Sequence, residues 1–186
     1  MQVNFLSHVE LALRLLPSLS RSPEARIVCT TSCHHFISKF DLDHFNCEDG
    51  MEGNKYGNNK LYYQMWVAEL QERLSKQPLY EHIVVNGVHP GYVNSGIWST
   101  ATIQTRTDKI LQLLARWFAI TSYQGGLALV NAATNERLGK VGGLYINRIW
   151  ESTPMPYCEH KPSRLMLWEK LDQALGLTEK GLLKLL

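Results

Sequence analysis

Two short runs rich in valine and isoleucine, separated by a long helical stretch, constrain the possible folds more than any other feature of the sequence. The runs, residues 26–31 and 83–88, are of the continuous apolar kind that forms strands buried on both faces of a parallel sheet. Residues 57–76 between them place apolar side chains at helical spacing, and Pro78 ends that helix. This order of elements favours a parallel pair of strands joined by a right-handed crossover.

The same alternation continues along the chain. Apolar periodicity predicts helices over residues 3–19, 109–118, 123–134 and 163–175 and a third strand over residues 144–147. Residues 33–55 are polar and predict a loop or a partly helical excursion, long enough to suggest a functional role. The fold class is therefore predicted to be α/β.

Composition excludes several classes of protein. The 186 residues are 45% hydrophobic, which suits one domain with a substantial core. The 19 basic and 17 acidic residues are scattered, so the basic stripe of a nucleic-acid-binding protein is missing and no nucleic-acid partner is expected. No apolar run reaches the roughly 18 residues that a membrane-spanning helix needs, so no spanning segment is expected.

The four cysteines indicate a reducing compartment, because a chain of this size needs no disulfides, and we expect a cytoplasmic protein. One cluster resembles a metal site, and its members are Cys29, Cys33, His34, His35, His44 and Cys47. A structural zinc site needs four ligands that converge tetrahedrally. Cys29 belongs to a core strand and Cys33 to the loop after it, so we predict no metal site.

Tyr56 and Lys60 open the predicted helix over residues 57–76. Their spacing of four places the phenol and the ammonium on one helical face, about one turn apart. A nearby cation favours the ionised phenolate of a tyrosine, and such a tyrosine exchanges a proton with an alcohol or carbonyl oxygen near neutral pH. Tyr157 and Lys161 share this spacing, but they lie between prolines where a continuous helix is not expected.

Further segments, in the same order, make the sequence similar to the short-chain dehydrogenase/reductase family, and especially to its retinol-dehydrogenase-like branch. Residues 3–8 resemble the family helix that carries a catalytic asparagine, here Asn4. Residues 26–32 resemble the strand that ends in a catalytic serine, here Ser32. Residues 88–95 resemble the family's Pro-Gly motif after a strand, and the chain end resembles the last strand and helix of that branch. The resemblance covers nearly the whole chain.

The resemblance implies a role for each matching residue. Tyr56 would be the general acid/base, Ser32 would bond the substrate oxygen, and Lys60 would hold the ribose of NAD or NADP. Asn4 would anchor a water that leads from Lys60 towards solvent. The residues implied on the nicotinamide side are Pro90, Gly91, Val93 and Ser95.

The resemblance lacks the first half of the family pattern, including the glycine-rich turn that cradles the pyrophosphate. Gly139, Gly142 and Gly143 do not replace that turn, because they precede a predicted strand instead of joining a strand to a helix. We therefore expect one partial domain over residues 1–186, an incomplete doubly wound, Rossmann-like parallel sheet. Its first strand would be an open edge, and dinucleotide binding would be weak.

Two functions from different classes fit these observations. The first is an oxidoreductase that acts on a small, lipophilic alcohol or carbonyl substrate, in a pocket formed by residues 33–55 and 96–120. Its expected lining includes His34, Trp98 and Trp117. The second is a catalytically silent interaction module. Either form could pair with a second copy through the apolar helices over residues 3–19 and 57–76.

Overall fold

The computed structural model of the protein describes residues 1–45, 55–94 and 119–186. In chain order it contains a π-helical turn (Gln2–Leu6), α1 (Ser7–Leu19), β1 (Arg26–Thr30), a 3-10 turn (Cys33–Ile37), α2 (Lys55–Leu74), β2 (Val84–His89), α3 (Ser122–Thr134), β3 (Tyr145–Asn147), β4 (Trp150–Ser152), a second 3-10 turn (Pro156–Cys158), α4 (Lys161–Leu175) and a third 3-10 turn (Leu182–Leu185). Within those ranges no helix combines the length and the hydropathy needed to cross a lipid bilayer.

The predicted elements that fall within the described residues are present, and their boundaries agree to within two residues. The helix predicted over residues 109–118 lies outside the described residues. The structure adds β4, which the sequence did not predict. This strand follows β3 through a tight turn in which Arg148 adopts a left-handed conformation with φ 58°.

The four strands form one sheet in the order β1-β2-β3-β4. β1, β2 and β3 are parallel, with Ile27 opposite Val85 and Gly87 opposite Tyr145, and β4 is antiparallel to β3. The predicted parallel sheet is confirmed. β1 lies at one edge, so one side of its backbone has no neighbouring strand among the described residues.

Helices cover both faces of the sheet. One cluster of buried side chains joins α1, α2 and α4 to Val85, and a smaller cluster joins α3 to Val88. Because side chains alternate along a strand, positions 85 and 88 of β2 face opposite sides. The larger layer therefore packs on one face and α3 on the other, as in a doubly wound sheet.

Helix α2 is enclosed by the rest of the chain. Thirteen of its 20 residues are buried, so it has no continuous apolar face left for a partner. In the predicted pairing surface, the strongly exposed apolar side chains belong instead to the first helical segment, at Val3, Leu11 and Leu15. The structure thus restricts that prediction to the outer face of α1 and its leading turn; pairing itself stays a prediction.

Two glutamine side chains on α2 bind the backbone of the sheet. Gln71 accepts a hydrogen bond from the Val85 amide at 2.7 Å, and the Gln64 side-chain amide donates to the Leu144 carbonyl at 3.3 Å. These contacts require close approach, because a Cβ atom at Gly87 would overlap Gln64 Oε1. The glycine of β2 therefore lets a buried polar side chain reach the sheet.

An ionic network joins α2 to α4. Lys161 donates to both carboxylate oxygens of Glu69, at 2.9 and 2.8 Å, and Arg164 donates to Glu72 at 2.6 Å. The Glu69 side chain is only 1% exposed, so these cations offset the cost of burying its charge. Hydrogen bonds from Lys76 and then Lys161 lower the pKa of Glu72 from its ordinary 4.5 to about 2.

We expect Gly87→Ala to lower the free energy of unfolding by about 1–3 kcal/mol, because the added methyl group overlaps the buried Gln64 amide. Gly126→Ala in α3 is the control. Nothing lies within 4 Å of its added Cβ, and replacing a helix-interior glycine should raise stability by about 0.5–1 kcal/mol. Urea unfolding followed by circular dichroism measures both variants, and equal effects would contradict the packing of Gln64 on β2.

We expect acid to weaken the fold partly through Glu72. A carboxylate whose pKa is lower in the folded than in the unfolded chain stabilises the fold fully above about pH 4.5, and this contribution is lost as the pH falls through about 2. Between these values, the free energy of unfolding should fall more steeply in the unmodified chain than in Glu72→Gln. Glu24→Gln removes the same charge from an exposed loop and serves as the control. If urea unfolding across this range gave the same slope in both Gln variants, the network would not stabilise the fold.

Candidate active site

The residues singled out by the sequence lie where β1 and β2 end. Ser32 follows β1 by two residues, and Pro90 and Gly91 follow directly after β2, while Tyr56 lies in the first turn of α2. In open α/β sheets, ligands bind in the crevice outside the carboxyl ends of the strands. These side chains therefore lie at the end of the sheet where a reaction site is expected.

Tyr56 and Lys60 share one face of α2, as their spacing predicts. Lys60 Nζ lies 5.6 Å from the centre of the Tyr56 ring and 5.7 Å from the centre of the Tyr63 ring. Both distances are within the range of a cation–π contact. Tyr56 is 40% exposed and Lys60 8% exposed, so the phenol is accessible while the ammonium is enclosed beneath it.

The Lys60 ammonium donates a hydrogen bond to the Thr30 carbonyl at 2.7 Å. The Thr31 amide donates to Val88 of β2, so the carbonyl of the preceding residue, Thr30, points to the open edge of β1. No carboxylate pairs with Lys60 among residues 1–45, 55–94 and 119–186. Burial lowers the pKa of Lys60, because the charged form loses hydration.

Ser32 begins the 3-10 turn that follows β1. Its Oγ accepts a hydrogen bond from the His34 amide at 3.2 Å, which caps the turn. A hydroxyl has one donor and two acceptor positions, so this contact leaves the Ser32 O–H free to donate. The His34 ring lies edge-on to the Tyr56 ring with 5.4 Å between centres, so the turn of Ser32 lies beside Tyr56.

Asn4 forms no hydrogen bond with these three residues within the ranges that the structure describes. It is exposed within the π-helical turn, a rare conformation that is frequent at functional sites. Its neighbour Phe5 packs 5.6 Å from the Tyr63 ring, which places this turn against α2. No hydrogen bond joins Asn4 to Lys60 in the described part of the chain. The structure thus brings together Tyr56, Lys60 and Ser32, and does not connect Asn4 to them directly.

The segment after β2 packs against α3 and against Ile120, which lies just before α3. Gly91 has φ 97°, a conformation that other residues rarely adopt. Val93 pairs with Ile120 in a parallel bridge and packs on Gly125, where a Cβ atom would come 2.6 Å from Val93 Cγ2. Ser95 lies outside the described residues, as do Trp98 and Trp117 of the predicted pocket lining.

Two polar atoms at this end of the sheet are buried without a partner in the described structure. They are Thr31 Oγ1, after β1, and Nδ1 of His89, the last residue of β2. Burial, with smaller contributions from His34 and His35, lowers the pKa of His89 to about 4, so its ring is neutral at pH 7. Unsatisfied buried polar atoms are uncommon in folded proteins and often mark functional positions.

Sequence reasoning gave His89 no individual role, although it lies directly before Pro90 and Gly91 at a strand end. It considered His35 only as a member of the metal-like cluster, for which no metal site was predicted.

Several proteins of known class are similar to this chain, although no family model matches it. Human polyprenol dehydrogenase is 25% identical over 182 residues, covering 95% of this chain and 54% of that protein. Human retinol dehydrogenase 13 is 26% identical, over 94% of this chain and 53% of its own length. The WW domain-containing oxidoreductase of Gallus gallus is 29% identical, with coverages of 90% and 41%. The chain spans about half the length of the curated relatives it matches.

A solved structure supports the fold. An uncharacterised protein from Mycobacterium paratuberculosis superposes with a TM-score of 0.59 at 22% sequence identity, over 91% of this chain and 56% of that one. At this identity the likeness concerns the fold alone, and it agrees with a Rossmann-like, partial α/β sheet. Because the sequence motifs and the relatives agree, the chain is similar to members of the short-chain dehydrogenase/reductase family, among them retinol dehydrogenases.

Proposed function

We propose that the chain carries the reaction site of an NAD- or NADP-dependent oxidoreductase, which transfers hydride between a nicotinamide and an alcohol or carbonyl compound. One observation supports this most: the Tyr56 phenol and the Lys60 ammonium meet beside the Ser32 turn at the carboxyl end of β1. This is the set of groups that the reaction needs on the substrate oxygen, namely a proton donor or acceptor and a hydrogen-bond donor.

Each residue has a separate task in this proposal. Tyr56 is accessible, so its phenol gives a proton to a carbonyl oxygen in reduction or takes one from an alcohol in oxidation. Ser32 donates its free O–H to the same oxygen and stabilises the charge that develops there. The Lys60 ammonium lies 5.6 Å from the centre of the Tyr56 ring and so places a positive charge beside the phenol that transfers the proton. A bound nicotinamide supplies or accepts the hydride.

The residues at the carboxyl ends of β1 and β2 fit the nicotinamide end of the cofactor. Thr31 Oγ1 and His89 Nδ1 are buried polar atoms without a partner among the described residues, and His89 directly precedes Pro90 and Gly91, so a carboxamide bound here could bond them. Gly142 and Gly143 do not supply a cradle for the pyrophosphate of the cofactor. In the described ranges, the paired glycines 142 and 143 lead into β3 and not into a helix, so they cannot form the glycine-rich turn at a helix start.

The relatives suggest a substrate class. Two of them are named for polyprenol and retinol, which are lipophilic alcohols. We therefore propose a lipophilic alcohol, or the carbonyl compound formed from it, as the substrate of this chain.

A second candidate function is an interaction module without catalysis. It is favoured by one observation, the exposed apolar stripe of Val3, Leu11 and Leu15 on the first helical segment. Turnover distinguishes the two functions, because an interaction module needs no reactive Tyr56.

We expect NADH or NADPH to quench tryptophan emission of the purified chain saturably, but with a Kd above the micromolar range, because the described residues supply only the nicotinamide end. Tyr56→Phe should keep this binding and lower turnover of a lipophilic alcohol by roughly 10²–10⁴-fold, the usual contribution of a general acid/base. Tyr157→Phe, at the other Tyr-x-x-x-Lys spacing, is the matched control and should turn over normally. Equal turnover by the chain and by Tyr56→Phe would refute the proposal, and a folded chain that binds neither dinucleotide would favour the interaction module.

We expect Lys60→Met to raise the free energy of unfolding by about 1 kcal/mol while abolishing turnover. The ammonium is buried without a carboxylate partner in the described structure, so an apolar side chain of similar length removes a desolvation cost. Lys55→Met, at an exposed position one turn earlier, is the control and should change stability by less than about 0.5 kcal/mol. Urea unfolding of both variants is the measurement. A loss of several kcal/mol in Lys60→Met would mean that the bond to Thr30 outweighs the cost of burial.

A further inference from the structure

His35 connects the Ser32 turn to a distant part of the chain. Its side chain is fully buried. His35 Nδ1 lies 2.6 Å from the Ser32 carbonyl oxygen, and the Met155 amide nitrogen, 120 residues further along, lies 3.2 Å from Nε2. The imidazole is therefore a bridge between the end of β1 and the segment that follows β4.

The two partners of the ring specify where its proton lies. A backbone N–H can only donate, so Nε2 must carry a lone pair to accept from Met155. A carbonyl can only accept, so Nδ1 must carry the proton. Both contacts form together only in the neutral, Nδ1-protonated tautomer.

The surroundings of His35 favour this neutral form. The Phe36 and Tyr145 rings lie 4.0 and 4.6 Å from the imidazole centre, so the ring is enclosed by aromatic side chains. Burial lowers the pKa of His35, although the bond to Ser32 opposes this effect. Titratable side chains around it include His34, His89, Tyr145, Cys33 and Cys158, and no carboxylate contacts the ring among the described residues.

We infer that His35 is a positioning residue for Ser32, through a neutral imidazole that ties the Ser32 carbonyl to the Met155 amide. Ser32 is held on two sides: the His34 amide donates to its hydroxyl oxygen, and its carbonyl accepts from the His35 amide at 3.2 Å and from the His35 ring at 2.6 Å. The anchored carbonyl holds the backbone of the Ser32 turn, and the His34 amide holds Ser32 Oγ within that turn. This inference rests on the proposed function for the task of Ser32, whereas the bridge can be tested without it.

The first test is nitrogen NMR of the chain labelled with ¹⁵N-histidine. We expect one ring, assigned by its loss in His35→Asn, to show the Nδ1-protonated pattern and to keep it as the pH falls through about 6.5, the ordinary pKa of histidine. Met155→Pro removes the amide donor at a residue whose φ of −59° already suits proline, and should shift the Nε2 resonance of His35 alone. An Nε2-protonated ring, an ordinary titration, or an unchanged Nε2 resonance in Met155→Pro would each overturn the bridge.

The second test separates positioning from folding. His35→Asn keeps a side-chain N–H near the place of Nδ1, whereas His35→Phe keeps the ring and loses the donor. We expect the His34 amide resonance, which reports the bond to Ser32 Oγ, to move in His35→Phe and to stay near its original position in His35→Asn. An unmoved His34 amide in a folded His35→Phe chain would overturn the inference even if no turnover were measurable.

Turnover adds the catalytic consequence. For samples with equal folded fractions, His35→Phe should lower kcat by about tenfold to a hundredfold with little change in KM, as expected for a misplaced donor, and His35→Asn should recover most of kcat. A purely structural role would lower both variants in proportion to their stability, and that outcome would overturn the positioning role. An inactive unmodified chain with the expected NMR pattern would count against the proposed function and leave the bridge in place.

Discussion

The burial of α2 on all sides is the constraint on which the rest of this structure depends. A helix enclosed by other elements needs internal partners for its polar side chains, because an unpaired buried polar group costs more than its hydrogen bond contributes. The Gln64 amide nitrogen and the Gln71 side chain find such partners on the sheet, and Glu69 finds them on α4. Gln64 Oε1 has none among the described residues. The contacts of Gln64, Gln71 and Glu69 fix the rotation of α2 about its axis. The same rotation places Tyr56 at an accessible position and Lys60 at an enclosed one.

The buried Lys60 ammonium serves the proposed site but costs the fold stability. Among the described residues, this ammonium has two aromatic faces and one carbonyl as partners, which is a poor replacement for water around a charge. The carbonyl belongs to Thr30, at the open edge of β1, where a neighbouring strand would otherwise bond the backbone. The position of the Lys60 ammonium therefore depends on what covers the open edge of β1. Burying this cation costs free energy, but it places the charge beside the phenol that transfers the proton in the proposed reaction.

The sequence predicted the elements well because their signals are local. Apolar periodicity over five to twenty residues located β1, α2, β2 and α3 to within two residues. It failed for β4, since three mostly exposed residues after a left-handed Arg148 carry no periodic signal. It also showed apolar side chains at helical spacing along α2 without showing what covers them. The helix was interpreted in part as a pairing surface, whereas α4 and the sheet pack against it.

In the candidate site as well, some neighbouring residues follow from local sequence spacing, and others follow from contacts between distant segments. The nearness of Tyr56 to Lys60 follows from four residues of helix, and the nearness of Ser32 to both follows from the carboxyl ends of parallel strands. The environment of His35 follows from neither, because one partner of its ring lies three residues away and the other 120 residues away. A sequence motif records which group reacts, while the group that holds it in place can come from any element packed nearby. For this reason the residues that orient Ser32 became visible only when the segment after β4 was placed against the turn after β1.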